Sequence, residues 1–173
     1  MLHSAIAQKT PLPRAPGDPV FTPAFYAPYE AAAQAALAAL CAARGQLAAR
    51  DAVRAMTYRL KTPASIRGKL SKRGLPPTTA SAATLHDIAG LRAVLCDVEQ
   101  VYRFARLIAS SPAVELAYSR DYIASPKPSG YQSLHLILRM NVEHGLVPVE
   151  VQLRTAPMDV WACLEHDACY KPM

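Results

Sequence analysis

Four cysteines are spread over 173 residues, and Cys41, Cys96, Cys163 and Cys169 make no CxxC pair. Their spacing argues against a zinc site or a disulfide framework and for thiols kept in a reducing compartment. Long apolar runs are missing too. The Ala-rich stretch 30–43 is too short and too weakly apolar to cross a bilayer. Residues 1–10 lack the continuous apolar core of a secretory signal, so a cytoplasmic protein with no membrane partner is expected. No internal repeat is present. What remains is 51% hydrophobic residues at a mean hydropathy of +0.07, the balance of one domain with a packed core. Nineteen Lys and Arg against 13 Asp and Glu leave a net charge of +6, which favours anionic ligands such as nucleotides or RNA.

Six of the 15 prolines (Pro11, Pro13, Pro16, Pro19, Pro23 and Pro28) fall in residues 1–28, which read as a Pro-rich irregular arm ahead of one domain, 29–173. From Pro28 to about Arg50, Leu37, Leu40, Cys41 and Leu47 recur at helical spacing. Residues 53–61 alternate as a strand, with Met56, Tyr58 and Leu60 on one side and Thr57, Arg59 and Lys61 on the other. Thr62 then caps a helix with Pro63 at its first position. Ser65 lies in the first turn of that helix, and Lys69 follows on the same face. Strands are expected at 91–96, 114–123, 133–142 and 147–155, the last two joined as a hairpin through a turn at 141–145. Helices are expected at 99–109 and from Pro157 onward. This is an α/β (α+β) pattern: about five strands in mixed order, flanked by helices.

In 147–155 the odd positions are apolar, so Glu150, Gln152 and Arg154 project together from the other face of the strand. A solvated surface strand gives the same pattern. Further polar faces tilt the balance towards a site: Arg59 with Lys61, Ser65 with Lys69, and Lys127, Tyr131 and His135 at intervals of four. Mg²⁺ takes one or two carboxylates and leaves its other positions to phosphate oxygens, which makes Asp87 and Glu150 the metal candidates. The plain alternative for Asp87 is a turn residue ahead of the next strand. Strict alternation sets Asp87 and Arg92 on opposite faces, so a bulge at Gly90, or a strand beginning after it, is expected. Lys61, Lys69, Lys127 and Arg154 supply cations for phosphoryl chemistry, and the start of the Pro63 helix offers free N–H groups to a phosphate. Gly130 lets the Tyr131 ring stand clear to stack on a base; a core tyrosine at a strand start is the competing reading. Trp161 reads as core, and His166 as a packing histidine on the last helix.

Taken in order, these segments resemble the RelA/SpoT-type alarmone synthetase domain. They are Tyr58-Arg59-Leu60-Lys61 with Ser65 and Lys69; Asp87-Ile88-Ala89-Gly90-Leu91-Arg92; Asp121-Tyr122-Ile123 with Pro126-Lys127; Gly130-Tyr131-Gln132-Ser133-Leu134-His135; Glu150-Val151-Gln152-Leu153-Arg154-Thr155; and Trp161, Glu165-His166 and Tyr170-Lys171. The match runs from about Val53 to Lys171. It implies a nucleotidyltransferase-like fold and transfer of the β,γ-pyrophosphate of ATP to the 3′-hydroxyl of GDP or GTP, making (p)ppGpp and AMP. By position it implies that Arg59 and Arg92 sandwich the adenine, while Lys61, Ser65 and Lys69 hold the ATP phosphates. Asp87 would bind Mg²⁺ with Glu150, which is also the base for the 3′-hydroxyl. Tyr131 would stack on the acceptor base, with Lys127 and His135 near its phosphates and ribose. Gln152, Arg154 and His166 would complete the pocket.

Departures from the family pattern are visible as well. The chain ends two residues after Tyr170-Lys171, where stand-alone members usually continue into C-terminal helices that build a tetramer. A truncated chain or a different homo-oligomer is therefore expected. The 52 residues before Val53 are too few for the hydrolase domain of the long bifunctional members, so hydrolysis is not expected. Ser129 stands where many members have Asn. The Pro-rich arm and basic balance also fit toxin-type relatives that modify the tRNA 3′ end or adenine nucleotides and pair with an antitoxin.

Overall fold

The computed structural model describes residues 8–9, 18–47 and 52–170, with side chains for 18–47 and 52–165. Its elements run β1 (Gln8–Lys9), α1 (Pro23–Gly45), β2 (Val53–Leu60), α2 (Pro63–Lys72), α3 (Thr79–Ala82), β3 (Ala89–Leu95), α4 (Val98–Ala109), β4 (Glu115–Asp121), β5 (Leu134–Val142), β6 (Gly145–Thr155) and α5 (Ala156–Tyr170). The five expected strands are present, and the two-residue β1 joins them at one edge. The sheet order is β1-β2-β3-β6-β5-β4. β1–β2 and β3–β6 are parallel, whereas β2–β3, β6–β5 and β5–β4 are antiparallel, so the sheet is mixed as expected.

One face of the sheet carries the core. Met56, Tyr58 and Leu60 of β2, Leu91, Ala93 and Leu95 of β3, Val149, Val151 and Leu153 of β6, and Leu134, Leu136, Leu138 and Met140 of β5 are all buried. They pack under α1 and the strongly amphipathic α4, whose Val101, Phe104, Ala105 and Ile108 are buried. Among the described residues no helix is long and apolar enough to cross a membrane.

Helix α1 begins at Pro23, capped by the Thr22 hydroxyl, and ends at Gly45. Residues 23–28 therefore belong to the domain rather than to an irregular arm; residues 10–17 of the arm, and the 48–50 end expected for this helix, lie outside the described residues. Proline is favoured at the first helical position, and Pro28 sits only five residues further on. The aromatic residues Tyr26 and Tyr29 bury themselves in the core and outweigh the broken backbone bond. The hydroxyl of Tyr26 also donates to the Lys61 carbonyl at 2.8 Å, tying α1 to the end of β2; burial pushes this phenol up to about 12.

Candidate active site

The sheet face opposite α1 holds two registered rows of side chains. Pairing aligns Arg59, Gly90, Glu150, Ile137 and Tyr118 in one row and Thr57, Arg92, Gln152, His135 and Arg120 in the next. The absent side chain of Gly90 leaves an open floor between Arg59 and Glu150; a Cβ placed there would meet only the Arg59 and Glu150 carbonyl oxygens, at 4.0 Å. No bulge is needed at Gly90, in contrast to expectation. The strand starts at Ala89 with regular pairing to Leu60 and Val149, and the bend before it frees Asp87 from the alternation.

Asp87 stands at the mouth of this floor. Its Oδ2 accepts from Lys61 Nζ at 2.8 Å and from Lys69 Nζ at 2.6 Å. Burial alone would raise the carboxyl, yet the two lysines hold it below the ordinary aspartate value. Lys69 reaches it from α2, whose N-cap Thr62 accepts the Ser65 N–H and donates to the Ser65 hydroxyl. Lys61 and Lys69 thus meet at Asp87, while Ser65 bonds to Thr62 at the helix start. On its far side α2 is gripped by a residue the sequence reading did not single out: Asp18 takes a forked bond from Arg67 at 2.8 and 3.2 Å.

Glu150 closes a ring of five hydrogen-bonded side chains. Its Oε1 meets His135 Nδ1 at 3.2 Å, and His135 Nε2 meets the Tyr131 hydroxyl at 2.8 Å. Arg154 Nη2 donates to that hydroxyl at 2.6 Å and to Gln152 Oε1 at 2.7 Å, and Gln152 Nε2 returns to Glu150 Oε2 at 2.8 Å. Whatever the charge of His135, its Nδ1 carries the proton that faces Glu150; protonating Nε2 would only reverse the bond to Tyr131. Burial pushes Glu150 up, but the bond and charge of His135 and the Gln152 amide outweigh it, so the carboxyl sits below the ordinary glutamate value. The charge of Asp87 pushes the same carboxyl slightly up, without reversing the direction.

The residues expected on the acceptor side divide. Lys127 lies over the rings of Tyr131 at 4.3 Å and Tyr122 at 5.0 Å. Tyr131 itself is turned inward and only 6% exposed, contrary to the expectation of a ring standing clear. The bonds from its hydroxyl to Arg154 and His135, together with an edge contact to Tyr122, draw it under the loop. Trp161, expected in the core, is 49% exposed on α5. Its indole N–H donates to the Ser129 carbonyl at 3.2 Å, and its ring backs Gly130, whose φ of 83° suits glycine. A cleft of about 420 Å³ opens there, between Gly130, Gln132, Thr155, Pro157, Met158 and Trp161. The side chain of His166 lies outside the described residues, as do those of Tyr170 and Lys171. Asp159 of α5 was not among the expected site residues, although it binds both Arg92 and Arg154.

The donor set suits a metal–nucleotide complex rather than an all-protein cage. Asp87 Oδ1 is buried and has no hydrogen-bond partner among the described residues, so one acceptor of this carboxylate is unused. Among the described residues no three His, Cys, Asp or Glu side chains converge to hold an ion. Two carboxylates with phosphate oxygens and water are what Mg²⁺ takes in nucleotide sites.

Residues 58–173 match the family model described as a region found in RelA/SpoT proteins. The chain is similar to two GTP pyrophosphokinases of Bacillus subtilis: YwaC, 38% identical over 65% of this chain and 56% of the relative, and YjbM, 34% identical over 67% and 56%. It therefore spans little more than half the length of the curated relatives it matches. Among solved structures, it is similar to the small alarmone synthetase 1 of Bacillus subtilis bound to its product pppGpp, with a TM-score of 0.75 at 31% identity over 85% of this chain and 78% of that one. A GTP pyrophosphokinase family protein of Streptococcus pneumoniae superposes equally well, with a TM-score of 0.75 at 30% identity over 85% and 75%.

Proposed function

This chain belongs to the RelA/SpoT protein family, and on that premise we propose that it transfers the β,γ-pyrophosphate of ATP to the 3′-hydroxyl of GDP or GTP. The observation that carries this reading is a lysine-clamped Asp87 just ahead of β3 together with a Glu150 on β6 whose carboxylate is bonded on both oxygens. The names of the relatives support a guanine nucleotide as acceptor, and the cations of the open sheet face support binding of both nucleotides there. Arg59 and Arg92 flank the Gly90 floor and would take the adenine between their guanidinium planes. Lys61, Lys69, Ser65 and the free N–H groups at the start of α2 would hold the triphosphate. Lys127 and His135 lie on the acceptor side. Tyr131 would stack on the acceptor base once its ring leaves Arg154 and His135, with the backbone at Gly130 as the hinge.

In the reaction, the ribose 3′-oxygen attacks the β-phosphorus of ATP. The bond from that phosphorus to the oxygen bridging to the α-phosphate breaks, AMP leaves, and the hydroxyl proton passes to Glu150. Phosphoryl chemistry of this kind depends on alignment and on spreading negative charge. Lys61 and Lys69 offset that charge with positive charge from one side, and Glu150 accepts a proton only as the attack proceeds. Asp87, assisted by Glu150, would hold Mg²⁺, which when bound neutralises phosphate charge.

Purified protein incubated with γ-labelled ATP and Mg²⁺, and offered GDP, GTP, ADP or tRNA separately, tests this reading. Label should move onto GDP or GTP, and Glu150→Gln should lower the rate by about 10²–10⁴-fold. Label on ADP or tRNA instead would keep the chemistry and overturn the acceptor. Transfer unchanged in Glu150→Gln would overturn the assignment of the base.

A further inference from the structure

On that reading, the adenine-side Arg92 and the acceptor-side Arg154 belong to different half-sites, yet one oxygen joins them. Asp159 Oδ1 lies 3.2 Å from Arg92 Nη1 and 3.1 Å from Arg154 Nη1. The two arginines are unequal partners. Arg92 is about a third exposed and free to present its plane to the floor; Arg154 is almost fully enclosed, with 4% of its side chain accessible. Asp159 is the one carboxylate paired with Arg154 among the described residues, and a buried cation keeps its position only while its charge and its N–H groups are matched. The remaining donors of Arg154 go to Ser133 Oγ at 3.3 Å, to the Tyr131 hydroxyl and to Gln152 Oε1, and the last two lead by separate paths to the two oxygens of Glu150.

We infer that Asp159 is a positioning residue for both half-sites: it aims Arg92 at the donor nucleotide and anchors the Arg154 hub that, through Gln152, orients Glu150 for the acceptor. Asp159 itself touches neither reacting atom. Its position explains why α5 begins immediately after β6: Asp159 comes five residues after Arg154, on the first turn of a helix packed over the ends of β3 and β6. In that place a short carboxylate spans both strands. An amide of the same shape would keep the volume and the one oxygen that accepts from both arginines, but lose the charge that matches them.

The test is a binding cycle on the full chain. A non-hydrolysable ATP analogue and GDP are titrated separately, using the fluorescence of Trp161, the single tryptophan of the sequence. Asp159→Asn should weaken both nucleotides, by about tenfold each, the scale of losing a charge-assisted contact. Arg92→Gln should weaken only the ATP analogue. The double variant should bind the analogue no more weakly than Arg92→Gln alone, because Asp159 acts on the donor through Arg92. Asp159→Glu should recover part of both affinities, a rescue that general unfolding would not allow. Additive losses in the double variant, or unchanged GDP affinity in Asp159→Asn, would overturn the inference. If the wild-type chain binds neither nucleotide, the functional reading fails first; if it binds both and Asp159→Asn matches it, only the role of Asp159 falls.

Discussion

Glu150 accepts hydrogen bonds on both carboxyl oxygens, from His135 and from Gln152, in a place where burial by itself would favour the neutral acid. The net shift is downward, so folded protein retains an ionised Glu150 at pH values below the ordinary 4.5. The sign follows directly. Stability contributed by this group is present above the unfolded value and is lost as pH falls through the lower folded one. A base held this way works across the neutral range, and the acid limb of kcat/KM should lie below the usual glutamate region. His135→Ala removes the strongest opposing partner and leaves burial unopposed on that oxygen. The acid limb should then move to higher pH while the limb of Gln152→Ala moves less, as pH–rate profiles of the two variants would show. An unmoved limb in His135→Ala would mean that another group sets the profile. Much of this was legible in the sequence: alternation in 147–155 put Glu150, Gln152 and Arg154 on one face, and the four-residue interval set His135 beside Tyr131. The ring that joins them was not legible, because it depends on the β5–β6 register, which sets His135 opposite Gln152. Nor was the inward turn of Tyr131, which follows from a buried guanidinium that local sequence does not reveal.

At the scale of single elements, α2 is the piece on which donor binding turns. Only Ile66 and Leu70 of this ten-residue helix are buried, so its placement depends on its ends and on polar ties. Thr62 caps it, Lys69 reaches Asp87, and Asp18 holds Arg67 from the other side. Thr62→Ala should lower stability by about 0.5–2 kcal/mol, read as a shift in the urea midpoint. It should also raise the KM for ATP more than that for the acceptor, because on the proposed reading the N–H groups and Ser65 at this helix start would hold the ATP phosphates. Thr62→Ser, which keeps the cap, should behave as wild type; equal effects on both KM values would argue for a purely structural role. The Thr-Pro signature made this helix easy to find in the sequence. The Asp18 tie was hidden, since its partner is 49 residues away and proline-rich surroundings suggested an irregular arm. The same surroundings concealed the start of α1, where Thr22 and Pro23 form a cap of the kind recognised at Thr62 and Pro63. Trp161 departs from expectation for a related reason: an aromatic residue at helical spacing suggests a buried stripe, yet among the described side chains of α5 Ala162 alone is buried and Val160, Trp161 and Leu164 are exposed.

Across the whole molecule, composition and architecture act together. A net charge of +6 is modest for 173 residues, but the sheet concentrates its cations: Arg59, Arg92 and Arg120 rise from the open face, and Lys61 and Lys69 close one end of it around Asp87. The opposite face is committed to the core under α1 and α4. Nucleotides carrying several negative charges should therefore be gathered by the field of this face before any specific contact forms. Because the collecting charges are partly exposed, salt should screen them. Affinity for ATP and for GDP should fall severalfold as salt rises from about 0.05 to about 0.5 M, a range over which the screening length drops from roughly a dozen ångströms to a few. Glu150→Gln should lose turnover yet keep this salt dependence, since it removes a base and not a collecting cation. Lys69→Gln should flatten the dependence for ATP and leave that for GDP steeper. Binding indifferent to salt in the wild-type chain would show that short-range contacts alone, chiefly the arginine planes over the base, account for nucleotide capture.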